Sequence, residues 1–165
     1  MNITDKSAIR DCTSCQMCAT VCPKDAITIR LNEDGFYRPY LDASKCVDCG
    51  MCVKVCYKFD PDVKVTSADE ENRIIVKSAQ YRQNELLEKV TSGGVADALA
   101  KELVKQGYMC IGVTYNDDNH RAEHVVAHTE GETDAFRGSK YIQSYSFKAF
   151  KNLVTNIRTE KFAIF

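Results

Sequence analysis

The stretch CTSCQMCATVCP, residues 12–23, recurs thirty-four residues later as CVDCGMCVKVCY, residues 46–57. In both runs the four cysteines are separated by two, two and three intervening residues. Disulfide bonds, zinc and iron–sulfur clusters are the chemistries that use cysteines so densely. Zinc sites usually pair two C-x2-C units per metal, whereas each run here is a triple plus one. The start, MNITDKSAIRDC, has no apolar stretch and no small-residue cleavage site, so it does not read as a secretory signal. Nine cysteines in a chain expected to be cytoplasmic argue for metal over disulfides, because thiols stay reduced there.

The spacing selects iron–sulfur. In runs of the form C-x2-C-x2-C-x3-C-P, three thiolates hold one cluster and the fourth reaches across to the other, as in bacterial-type ferredoxins. Applied here, Cys12, Cys15, Cys18 and Cys56 would ligate one 4Fe-4S cluster, and Cys46, Cys49, Cys52 and Cys22 the second. Small residues beside them, Ser14, Ala19 and Gly50, let backbone amides approach the sulfurs. Pro23 follows the first run, but Tyr57 stands where the second would carry its proline. The formal charge of −1 would fall to about −5 with two loaded sites, each contributing −2 from four thiolates and an oxidised core.

Between the runs, Ile27, Ile29 and Leu31 alternate with polar residues, residues 32–35 make a turn, and residues 36–41 return as a second strand. The fold class expected is an α+β ferredoxin-like module with two 4Fe-4S clusters over residues 1–66, followed by a partial α/β domain. Asp60, Pro61 and the acidic Asp69, Glu70 and Glu71 mark a connector, placed at residues 67–84. Ile74 to Val76 suggests a short strand, and residues 85–90 a short helix. In the final domain, residues 85–165, two apolar rows at helical spacing (Val95, Leu99, Leu103 and Ala96, Ala100, Val104) predict a helix ending at Gly107. Strands follow at residues 108–115 and 122–128, then a helix marked by Phe147, Phe150, Val154 and Ile157. Helices alternating with apolar strands indicate an α/β domain.

Two stretches of that domain carry possible chemistry. Thr91, Ser92, Gly93 and Gly94 open the long helix, where a hydroxyl caps free amides and glycines admit an anion. FRGSKYIQS, residues 136–144, groups glycine, serine, lysine and tyrosine, which could hold a phosphate and stack on a planar ring. With the two cysteine runs, this order resembles the coenzyme F420 hydrogenase/dehydrogenase beta-subunit family. The resemblance implies a two-cluster ferredoxin module joined to an FAD-binding domain, with Ser92, Gly93, Gly94, Ser139, Lys140 and Tyr141 as the flavin-site residues. It further implies electron passage between clusters, FAD and a deazaflavin or other small-molecule substrate, with a redox partner protein or subunit. The alternative is a non-catalytic ferredoxin-like carrier whose second domain docks a partner. No catalytic residue is assigned.

Other residues read as structural. His124 and His128 share a strand face, His120 does not, and Cys110 in GYMCIGV is a buried core thiol. Lys and Arg are scattered among acids, so nucleic acid is not an expected partner. No apolar run reaches the length of a membrane span. The chain closes on the apolar FAIF, residues 162–165, of the kind buried in a parallel sheet, where ends are usually polar and loose. The expectation is therefore the front part of a longer enzyme, inactive alone, whose open apolar edge would invite self-association.

Overall fold

A computed structural model describes residues 2–4, 12–59, 75–156 and 161–165. The chain divides into two compact units, residues 1–78 and 79–165. Helices and two small sheets make the architecture mixed α/β.

In the first unit the two cysteine runs fold alike. Each turns left-handed at the second and fourth residues after its first cysteine: Ser14 (φ 62°) and Gln16 (φ 63°), then Asp48 (φ 49°) and Gly50 (φ 76°). Glycine takes that conformation freely, and the other three need support from their surroundings. Ser14 Oγ donates to the Tyr37 carbonyl, and Asp48 Oδ1 accepts from Asn2 Nδ2 at 2.8 Å. A single helical turn follows at the same register in each run, α1 at Met17–Thr20 and its repeat, named α2 below, at Met51–Lys54.

Between them lie β1 (Ile27–Leu31) and β2 (Tyr37–Leu41), antiparallel with Ile27 opposite Leu41 and Leu31 opposite Tyr37. The turn is the expected one. Asn32 accepts Gly35 N on its carbonyl (3.0 Å) and Phe36 N on its side-chain oxygen (2.8 Å), while Gly35 supplies a φ of 79°. The alternation buries Ile27 and Tyr37 on one face.

The second unit begins with α3 (Asn84–Leu87) and a 3₁₀ turn at Ser92–Gly94 that leads into α4 (Val95–Lys105). β3 (Tyr108–Asn116) and β4 (Arg121–Ala127) form a hairpin, followed by α5 (Glu130–Thr133), α6 (Phe147–Asn156) and β5 (Lys161–Ile164). The sheet order is β4-β3-β5, with β5 parallel to β3. Alternation along β3 sends Met109 and Ile111 to one face, against Ala149 and Leu153 of α6. Cys110 goes to the other, against Val104 of α4 and Ala127. The result is a helix on each side of a three-stranded sheet.

Several expectations need correction. Ile75 and Val76 belong to no strand and stand 79 % and 90 % exposed; Ile74 lies outside the described residues. Apolar residues without a partner strand cannot pair their backbone. α6 buries Ala149 and Leu153, not Phe147 and Val154, because its small Ala149 lets the helix approach the sheet; Ile157 lies outside the described residues. On α4, Ala100 and Val104 are buried, while Val95 and Leu99 are exposed. β5 does run parallel, yet as an edge strand it leaves Ile164 51 % exposed. Of the expected connector, residues 67–74 lie outside the described residues, as do Asp60 and Pro61. Among the described residues no helix is long and apolar enough to cross a membrane.

Candidate functional site

The eight run cysteines gather around two pockets of the first unit. One is lined by Cys12, Cys15, Cys18 and Cys56. The other is lined by Cys22, Cys46, Cys49 and Cys52. Each pocket thus takes three cysteines from one run and one from the other, with α1 and α2 delivering Cys18 and Cys52 to buried positions. Backbone amides point at the sulfurs: Ser14 N to Cys12 Sγ (3.4 Å), Ala26 N to Cys22 Sγ (3.3 Å) and Asp48 N to Cys46 Sγ (3.5 Å). Burial, then the charge of Cys15, pushes the Cys18 thiol up to about 12. Burial likewise raises Cys15 and Cys52. Among the described residues no three His, Cys, Asp or Glu side chains are close enough to grip one ion. Four thiols line each pocket instead, a donor set of the kind that iron–sulfur clusters use.

The second unit holds an open cavity of about 620 Å³ between the start of α4, β3 and residues 136–144. Its wall combines apolar side chains, Val95, Leu99, Val113, Phe136 and Ile142, with polar ones, Thr91, Ser92, Ser139, Lys140 and Ser144. That combination is the usual composition of a cofactor site. Thr91 Oγ1 and Ser139 Oγ approach to 3.4 Å and tie the two predicted stretches together. Of the six residues named from sequence, Ser92, Gly94, Ser139 and Lys140 line this cavity. Gly93 stands behind it, its carbonyl accepting from Tyr81 N at 2.9 Å. Tyr141 is not part of the wall and is 94 % exposed.

Local chemistry explains the polar part of the wall. Ser92, Gly93 and Gly94 all have positive φ (54°, 83° and 80°), so the backbone coils tightly before α4, whose N-terminus no side chain caps. A Cβ on Gly94 would stand 2.7 Å from Val90 Cγ2 and press into the Tyr81 ring. Lys140 Nζ folds back to donate to the carbonyls of Arg137 (2.6 Å) and Phe136 (3.1 Å), and burial pulls its pKa below the ordinary lysine range.

A charge cluster that sequence reasoning missed contributes Asp97 and Arg137 to the cavity wall. Asp97, with a 5 % exposed side chain, accepts from Tyr81 Oη (2.7 Å), Lys101 Nζ (3.1 Å) and Arg137 Nε (2.9 Å). Asp134 bridges Lys101 (3.1 Å) and Arg137 (2.9 Å) from the other side. Burial alone would raise the Asp97 pKa; the three donors outweigh it and hold the carboxyl below the usual range. Arg137 immediately precedes the Gly138, Ser139, Lys140 segment, and that adjacency was the available signal. His124 is half-buried, shares a 3.0 Å contact with Ser144 Oγ, and packs its ring against Phe150 at 5.2 Å. Cys110 is fully buried beneath α4.

Comparison with known proteins agrees with both halves. Residues 11–58 match the 4Fe-4S dicluster domain, and residues 76–151 match the domain described as coenzyme F420 hydrogenase/dehydrogenase, beta subunit N-term. The chain is 31 % identical over 75 residues to NADH-quinone oxidoreductase subunit I 2 of Geobacter metallireducens, covering 40 % of this chain and 57 % of that protein. It is 36 % identical over 75 residues to a component of the Na(+)-translocating ferredoxin:NAD(+) oxidoreductase complex of Acetobacterium woodii, covering 46 % and 20 % respectively. It is 43 % identical over 54 residues to NADH-quinone oxidoreductase subunit I of Pelobacter propionicus, covering 27 % and 28 %. The chain therefore spans little more than half of the first of these relatives and less than a third of the others. What it resembles as a class is an iron–sulfur, electron-transfer oxidoreductase subunit. Within that class, residues 76–151, just under half of the chain, match the coenzyme F420 hydrogenase/dehydrogenase beta-subunit family that the sequence resembles.

Proposed function

We propose that the chain is the electron-transfer part of a cytoplasmic iron–sulfur flavoprotein oxidoreductase. The observation that carries this reading is the partition of the eight run cysteines into two pockets of four. Cys12, Cys15, Cys18 and Cys56 would hold one 4Fe-4S cluster, and Cys22, Cys46, Cys49 and Cys52 the other; such clusters take up and release single electrons. The chain's own work is to gather the thiolates, donate amide hydrogen bonds to them and keep Cys18 and Cys52 away from water.

The cavity beside α4 supports FAD as a further cofactor, a carrier that joins one-electron and two-electron transfers. Ser92 and Gly94 would meet its phosphates at the uncapped helix start, Ser139 and Lys140 would close the polar wall, and the apolar wall around Val113 and Phe136 would exclude water from the ring. The exchanging substrate would be a deazaflavin or another small molecule, and the relatives' names, all parts of larger redox assemblies, support a redox partner protein. The domain limits proposed from sequence, 1–66 and 85–165, place the clusters in the first part and FAD in the second.

Anaerobic purification followed by iron, sulfide and flavin assays tests this. About eight iron and eight sulfide per chain are expected. Cys56→Ser should deplete the pocket of Cys12, Cys15 and Cys18, not that of its own run. Lys140→Ala should weaken added FAD while leaving iron unchanged. Full iron with no affinity for FAD would leave the ferredoxin-like carrier with a partner-docking second domain.

A further inference from the structure

We infer that the two cysteine pockets are electrostatically unequal, with Arg38 beside the first and Asp48 beside the second, so that the first electron to arrive settles in the pocket of Cys12, Cys15, Cys18 and Cys56. This rests on the cluster reading above.

The repeat makes the comparison internal. Ser14 and Asp48 occupy equivalent positions, two residues after the first cysteine of each run, with the same left-handed backbone. Around the first pocket, Arg38 Nη1 donates to Ser14 Oγ at 2.6 Å and to the Tyr37 carbonyl at 3.0 Å, which fixes a guanidinium against the loop of residues 12–15. Around the second, a carboxylate takes the place of that serine. Asp48 Oδ1 lies 3.9 Å from Cys46 Sγ, and its partner Asn2 is neutral. Guanidinium keeps its charge at any working pH.

Among the described residues, the other charges near the pockets cancel or favour the same order. Lys24 and Lys58, again equivalent by the repeat, line one pocket each. Asp25 follows Cys22 at the step where Phe59 follows Cys56, adding a second acid on the Asp48 side. Lys45, next to Cys46, is ion-paired with Asp42 at 3.5 Å; its counterpart Asp11 lies outside the described residues. Reduction adds one negative charge to a site that is already anionic. A nearby cation favours that step and a nearby anion opposes it.

The test is a mediated redox titration of the anaerobically loaded full chain, with dithionite supplying the electrons and low-temperature EPR reading the clusters. Wild type should show two one-electron couples whose reduction constants differ about tenfold or more, a separation of about 59 mV. Arg38→Gln should lower the upper couple alone, and Arg38→Lys should restore it. Asp48→Asn, at an exposed position where asparagine tolerates the left-handed backbone and keeps an oxygen to accept from Asn2, should raise the lower couple alone. Iron content should stay constant in all three. Coincident wild-type couples overturn the inference, as does a variant that shifts neither couple or the opposite one, while the cluster reading survives. A wild-type chain that takes up no iron overturns both.

Discussion

Asp97 and Arg137, forty residues apart in the chain, meet through a 2.9 Å hydrogen bond from Nε to Oδ1. The bond links the first turn of α4 to the segment that carries Ser139 and Lys140, so two parts of the cavity wall are held by one buried carboxylate. Removing one member of such a cluster strands the others. Asp97→Ala should cost the second unit about 3–5 kcal/mol, the range for breaking a buried ion pair, in chemical denaturation followed by circular dichroism.

The same carboxylate sets an acid limit. Its pKa is held below the unfolded value of about 3.9, so its stabilisation is complete above that pH and disappears as pH falls through the lower folded value. Stability of the wild type should therefore drop more steeply below about pH 4 than that of Asp97→Asn, which has no proton to take up there. Equal slopes for the two proteins would show that the carboxylate is not the titrating group.

Gly94 is fixed by geometry on two counts. Its φ of 80° disfavours any side chain, and a Cβ would enter the Tyr81 ring, with Cε2 only 2.6 Å away. Gly94→Ala should destabilise by about 2–4 kcal/mol, combining left-handed strain with overpacking. A melting temperature within a degree of wild type would contradict this.

Cysteine substitutions should separate by pocket. Cys110 belongs to the second unit, where its thiol donates to the Ala100 carbonyl at 3.6 Å under α4. Cys110→Ala should retain the full iron content, about eight per chain, whereas Cys18→Ser should lose up to half of it. Iron and sulfide assays on anaerobically prepared variants check both.

Glycine geometry makes a further case at the sheet. A Cβ on Gly112 would lie 2.6 Å from Phe136 Cδ1, so the ring lies flat on the strand only because that residue is glycine. Gly112→Ala should push Phe136 out of the cavity wall, lower stability by about 1–3 kcal/mol and weaken added FAD. Tight FAD binding by that variant would remove Phe136 from the wall of the site.

Local signals were the legible ones. The cysteine spacing, the Asn32 and Gly35 turn and the strand of residues 108–116 each follow from neighbours within a few residues. The buried side of α6 was not legible, because large apolar residues suggested Phe147 and Val154, whereas close approach to the sheet selects the small Ala149. The Asp97 cluster was equally silent. Lys101 stands at ordinary i,i+4 helical spacing, but Tyr81 and Arg137 lie 16 and 40 residues from Asp97, and pairings across such distances leave no periodic trace. Ile75 and Val76 misled in the opposite sense, since apolar character without a neighbouring strand fixes no structure.

The sharing of cysteines between runs has a consequence for how the protein is made. The pocket of Cys12, Cys15 and Cys18 waits for Cys56, so a nascent chain that ends before residue 52 can close neither pocket, and one that ends at residues 52–55 only the pocket that Cys22 completes. Once both are closed, each half anchors the other. A protease cut in the exposed turn at residues 32–35 should then leave two fragments that travel together on a native gel, and they should part only when a chelator strips the iron.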